Sequence, residues 1–203
     1  MYIPPYYKES DTEKLLDFMR THSFASLISS HNNNIRATHL PFVVEKREEK
    51  IFLVTHMAKA NPQWQEFGGE LLVIFQGPHA YISPDHYEKK QNVPTWNYIA
   101  VHAYGKAALI ESDDTSRAVL EKMIGTYEAK FQAQWKALDQ NYVNGMLKAI
   151  VSFEIEVTKL EGKFKLSQNK TKNEQQNIIS SLGNSPDSPE REISSEMKKK
   201  LGL

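Results

Sequence analysis

From Val151 to Thr158 the side chains keep strict time: Val151, Phe153, Ile155 and Val157 are apolar, and Ser152, Glu154, Glu156 and Thr158 between them are polar. Only an extended strand sends successive side chains to opposite faces, so this run is a strand with one dry and one wet side. Shorter pieces of the same kind recur upstream. Phe24 to Ile28 reads as a strand, and His31-Asn32-Asn33-Asn34 is turn chemistry that returns the chain through Ile35 to Val44 as an antiparallel hairpin. The charged run Glu45 to Lys50 is the next turn. Ile51 to Val54 and Leu71 to Phe75 are short continuous apolar runs, the kind buried on both faces, and Trp96 to Ile110 is a long strand. Six or more strands joined mostly by hairpins predict a mainly β fold with added helices, an antiparallel barrel rather than a doubly wound sheet.

The helices are fewer and carry their own start signals. Ser10 with Glu13 three residues later is a capping-box pattern, after which Leu15, Leu16 and Met19 form one apolar face. Asn61-Pro62 places a capping side chain before a proline at the first helical position, with Trp64 and Phe67 as anchors and Gly68-Gly69 as the stop. Ser112 or Asp113 caps a helix with Val119, Leu120, Met123, Ile124 and Tyr127 on one side. Leu138 to Leu147 is the next, with Tyr142 and Met146 predicted to point inward. Composition shifts near Asn169 toward Asn, Gln, Ser and Lys, with Ser185 to Pro189 as a linker and Glu190 to Leu201 as a terminal helix. The predicted division is a barrel domain over 1–170 and a polar C-terminal tail with short helices over 171–203.

Charge and composition exclude several function classes. Lys+Arg and Asp+Glu both number 25, so the net charge is zero and there is no global field to attract nucleic acid or anionic lipid. Cysteine is absent, which removes disulfides, thiolate metal sites and a cysteine nucleophile. The longest apolar runs are far too short to span a bilayer and the N-terminus has no signal-peptide core, so no membrane association and a cytoplasmic location are expected. There is no glycine-rich dinucleotide fingerprint, phosphate loop, nucleophile elbow or zinc-protease motif. His39, His56, His79, His86 and His102 lack helical pairing, and no metal site is expected.

Between the strands lie three dense polar and aromatic clusters: Thr55 to Trp64, Phe75 to Pro84 and Val93 to Tyr98. Stacking rings (Trp64, Trp96, Tyr81, Tyr98), amides (Asn61, Gln76, Asn97) and a cation (Lys59) are what a planar phosphorylated heterocycle requires, because its faces must be covered and its anion neutralised. Lys59 directly before a helix start makes an anion site; the same spacing equally describes a capped helix beside a solvated lysine. The rings, likewise, can be core fillers.

The order of these motifs resembles the PaiB family of bacterial regulators. It runs from Met1-Tyr2-Ile3-Pro4 through Ala37-Thr38-His39-Leu40-Pro41, His56 to Pro62, Phe75 to Pro84 and Val93 to Tyr98, to Leu160 to Asn169, roughly residues 1 to 180. The resemblance implies an antiparallel FMN-binding split barrel, related to pyridoxamine-phosphate oxidases and usually a homodimer with flavin sites at the subunit interface. It implies that the segment Thr55, His56, Lys59, Asn61 lies where related oxidases hold the flavin phosphate. Lys165, at the end of the last strand, would reach the ligand pocket, and Gln76, Trp96 and Asn97 complete the expected FMN-binding set. Asp85-His86-Tyr87 departs from the Ser-Trp-Tyr expected after Pro84 and removes a ring there. The family name implies a negative transcriptional regulator, or repressor, of sporulation and degradative-enzyme genes. Yet no helix-turn-helix or basic face is visible, and Lys198-Lys199-Lys200 is the one cationic cluster. Regulation through DNA directly or through a regulatory protein partner therefore stands beside two alternatives: an FMN-dependent oxidoreductase of unknown substrate, and an interaction protein with an empty flavin site. No catalytic residue is assigned.

Overall fold

The computed structural model describes residues 1–203. Eight strands and six α-helices make up the regular structure: β1 (Lys8–Glu9), α1 (Thr12–Thr21), β2 (Phe24–His31), β3 (Asn34–Pro41), β4 (Val43–Arg47), β5 (Lys50–Ala58), β6 (Leu71–Ile82), β7 (Thr95–Ile110), α2 (Asp113–Tyr127), α3 (Gln132–Ala137), α4 (Gln140–Lys148), β8 (Ile150–Lys165), α5 (Lys172–Gly183) and α6 (Ser188–Leu201). The strands form one antiparallel sheet in the order β3-β2-β6-β7-β8-β5-β4, with β1 added on β8. The two ends of that path, β3 and β4, are separated in sequence by Phe42 alone, so the sheet has to curl until its edges meet. They do not pair, and the sheet stays open there. The gap is bridged instead by the Thr55 hydroxyl, which donates to the Pro41 carbonyl at 2.6 Å.

Two compact units divide the chain. The larger comprises Leu16–Phe75 and His102–Leu160, and the smaller Met1–Leu15, Gln76–Val101 and Glu161–Leu203. The larger unit holds β2 to β5, part of each long strand β6, β7 and β8, and helices α2 to α4. Its hairpins are set by turn chemistry. His31 pairs with Asn34, and Asn32 and Asn33 between them both adopt left-handed backbone (φ 48° and 62°), the tight two-residue turn that matches strand twist. Arg47 pairs with Lys50 around Glu48, also left-handed at φ 55°. Helix α2 lays Val119 and Met123 on Val43 and Val54, a directly paired couple of β4 and β5. Phe42, Phe75 and Phe153 are fully buried.

The smaller unit takes β1, the remaining parts of the long strands, and the helices α5 and α6. Helix α5 opens on a complete capping box, Thr171 with Glu174, and buries Ile178, Ile179 and Leu182, while α6 buries Ile193 and Met197. The Ser194 hydroxyl donates to the Ile179 carbonyl at 2.8 Å and ties the two helices. No helix is long and apolar enough to cross a membrane.

Several sequence expectations change. The cap of α1 is Asp11, whose carboxylate accepts from the Glu13 and Lys14 amides, rather than Ser10. The run Ile35 to Val44 breaks at Phe42 into two strands, because its amide turns to the Ser23 carbonyl. In α4 Val143 and Leu147 are buried, whereas Tyr142 (58% exposed) and Met146 (48%) point outward. The helix expected after Asn61 is a five-residue 3₁₀ turn, Pro62–Glu66. Strands β5 and β6 run well past their apolar runs, so His56 and the Gln76 to Ile82 segment lie in strand.

Candidate functional site

The eight residues expected to hold a cofactor fall into two groups, one in each unit. Thr55, His56, Lys59 and Asn61 belong to the larger unit, and Gln76, Trp96, Asn97 and Lys165 to the smaller.

In the larger unit the polar groups are mostly committed to the fold. Thr55 is fully buried on the Pro41 carbonyl. The Asn61 carbonyl oxygen accepts from the Gln63 amide at 3.0 Å, and its amino group donates to the Thr38 hydroxyl at 3.0 Å. Sequence reasoning passed over Gln63, which is completely buried. Its amino group donates to the Ser29 hydroxyl (3.1 Å) and to the Leu27 and Arg36 carbonyls (both 3.3 Å), and its carbonyl oxygen accepts from Thr38. This amide pins the short 3₁₀ turn onto the β2–β3 hairpin. Beside it Arg36 clasps Glu66 with bonds of 2.8 and 2.9 Å. His56 lies against the Met123 sulfur at 3.2 Å, and burial pushes its pKa below the ordinary value, favouring the neutral ring. Lys59 is exposed; its backbone carbonyl accepts from the Trp64 indole at 3.1 Å, and its ammonium has no carboxylate partner.

In the smaller unit β6 and β7 present rings to solvent. Trp96 is 52% exposed and Tyr81 47%, and the Trp96 ring lies 5.9 Å from both Tyr81 and His79. Gln76 is exposed on β6. Asn97 is turned inward and completely buried, exchanging hydrogen bonds with the Ser167 hydroxyl at 3.0 and 3.1 Å. Ser167 has a left-handed backbone (φ 61°), so Asn97 fixes the turn that ends β8. Just before that turn the Lys165 ammonium donates to the Trp96 carbonyl at 2.7 Å and to the Thr95 hydroxyl. Partial burial, and then the neighbouring Lys163, push its pKa down.

These groups fit a flavin. In the smaller unit an exposed indole flanked by two further rings can cover a flat heterocycle, an exposed amide can meet its polar edge, and Lys165 is a cation without a counter-ion; in the larger unit, taken by itself, Lys59 is an exposed cation able to meet an anion. No cluster of three metal-ligating side chains exists.

The open antiparallel sheet with its helices defines a class, the split-barrel flavoprotein fold. Solved structures carry it: the flavocytochrome Anf3 of Azotobacter vinelandii, with TM-score 0.62 at 14% identity over 80% of this chain and 72% of that one. The FAD and heme binding protein of Mycobacterium smegmatis gives TM-score 0.61 at 16% identity over 78% and 73%. Within that class, residues 1–159 match the model described as "Putative FMN-binding domain". The chain is 37% identical over 205 residues, 99% of its length and 98% of the relative's, to the protease synthase and sporulation protein PAI 2 of Bacillus subtilis. An uncharacterised protein of Emericella nidulans is 28% identical over 91% of each chain. The chain thus belongs to the PaiB-type FMN-binding family, and FMN is the cofactor that this family and fold support.

Proposed function

We propose that this protein is an FMN-binding negative regulator of sporulation and degradative-enzyme genes, acting as a cytoplasmic homodimer. The observation that carries the reading is the end-to-end relationship to the sporulation protein PAI 2. It is supported by the exposed Trp96 surface and the two cations free of counter-ions, Lys59 and Lys165. Bound FMN would supply electron-transfer chemistry at its ring; in the smaller unit Trp96 would cover a ring face, and in the larger unit Lys59 would meet a flavin phosphate. The C-terminal lysines give little support to direct DNA contact, since Lys199 pairs with Glu196 at 2.6 Å and Lys200 with Glu9 at 3.4 Å. Regulation through a protein partner or the redox state of the flavin suits this surface better.

The test is an absorption titration of the purified protein with FMN and with riboflavin. FMN should be retained through desalting, and Lys59→Ala should weaken FMN about tenfold while leaving riboflavin unchanged, the size of one charge-assisted contact. Absence of FMN binding by the unmutated protein would leave only the empty-site interaction protein, and equal weakening of both flavins would place the phosphate elsewhere.

A further inference from the structure

In the smaller unit, three lysines share one face of the β1–β8 pair with no carboxylate to neutralise them. Lys163 and Lys165 are two residues apart on β8 and so share a face, and Lys8 of β1 is the direct cross-strand partner of Lys163. Lys163 is only 9% exposed. Lysines are almost never this buried unless paired, and like charges placed opposite one another repel. Yet the acceptors around these ammonium groups are neutral. Lys163 donates to the Tyr2 carbonyl at 3.2 Å and lies 5.8 and 5.1 Å from the Tyr2 and Tyr98 ring centres. Lys165 donates to Thr95 and the Trp96 carbonyl and lies 6.0 Å from the Tyr7 ring. The nearby carboxylates are occupied: Glu161 holds the Met1 ammonium, and Glu9 reaches Lys200 while capping the Ser10 and Asp11 amides.

We infer that Lys8, Lys163 and Lys165, framed by Tyr2, Tyr7 and Tyr98, form a binding site for an oxyanion, a phosphate or carboxylate group of a small molecule. A buried ammonium with two further lysines on the same sheet face recognises such a group strongly, because each hydrogen bond to it is charge-assisted. Lys163 and Lys165 lie beyond the residues matched by the family model. The inference does not depend on flavin binding, although the flavin phosphate is one source of the anion and a second anionic ligand is the other.

Inorganic phosphate is the probe, followed by phosphorus NMR line broadening and thermal unfolding on the full chain, with chloride at matched ionic strength as control. Phosphate should broaden and should raise the unfolding midpoint where chloride does not. Lys163→Met, which keeps the stem between the rings, should lower phosphate affinity about tenfold, and Lys163→Arg should retain it. Lys8→Met alters only an exposed side chain and should weaken binding several-fold with the fold intact. Phosphate binding that survives FMN loading identifies a second anionic ligand; binding lost to FMN but kept with riboflavin identifies the cofactor's phosphate. Equal effects of phosphate and chloride, or unchanged phosphate binding in both methionine variants, would overturn the inference.

Discussion

Gln63 decides where the 3₁₀ turn sits, because four partners depend on one buried amide. Gln63→Leu fills similar volume but leaves the Thr38 and Ser29 hydroxyls and two carbonyls short of a bond. Each such group left dry costs about 1–3 kcal/mol, so urea unfolding should move to a clearly lower midpoint with little change in slope. An unchanged midpoint would mean water replaces the amide. Nothing in the local pattern announced this residue: between Pro62 and Trp64 a glutamine reads as solvent-facing, and its burial follows from strands far off in sequence. Asn61 was legible as a cap, since capping needs only the next two residues. His56 carries a pH dependence of definite sign. Its folded pKa lies below the ordinary 6.5, so below that pH the unfolded chain takes up a proton that the folded chain refuses. The stability tied to His56 is full above 6.5 and falls as pH drops through it toward the folded value. Denaturant titrations between pH 7.5 and pH 5 should show this loss, and His56→Gln should reduce the slope.

Two strand glycines separate rigid from yielding contacts. A Cβ on Gly105 of β7 would stand 2.3 Å from the Glu156 carbonyl oxygen and 2.7 Å from an Ile155 methyl, and hydrogen-bonded backbone cannot retreat. A Cβ on Gly162 of β8 would meet a Leu15 methyl at 2.3 Å, a side-chain end that can rotate, with the Glu9 carbonyl at 3.1 Å. Gly105→Ala should therefore cost the upper part of the roughly 1–3 kcal/mol typical of overpacking, and Gly162→Ala distinctly less; thermal unfolding of the two variants side by side gives the ranking. Strand identity was readable from apolar runs, but strand length was not. β6 continues through Gly77-Pro78, residues that ordinarily break strands; its pairing with β2 stops at Ile74, so on that edge Pro78 interrupts no ladder. In α4 the reverse happened: Tyr142 and Met146 are apolar enough to suggest core, and only the packing of Val143 and Leu147 shows which side is dry. For Trp96 the sequence left two readings open, a stacking ring or a core filler, and its exposure on β7 rules out only the second.

At the scale of the molecule, a proposed homodimer should scatter light as about twice the 23.3 kDa chain, and a concentration-independent monomer would remove the dimer from the reading. The split-barrel class was legible because hairpin order and turn chemistry are local, whereas the partition into two units was not, since the smaller one gathers three stretches far apart in sequence. That partition has a temporal consequence on the ribosome. Lys8 and Glu9 find their partners only at Lys163 and Gly162. Translation at about 5–20 residues per second makes the opening segment wait on the order of ten seconds before its strand partner exists. The β2–β3 and β4–β5 hairpins, whose partners are close in sequence, can close long before then. During that interval the first residues of the newborn chain have no strand to pair with, which makes them a stretch open to a chaperone's attention.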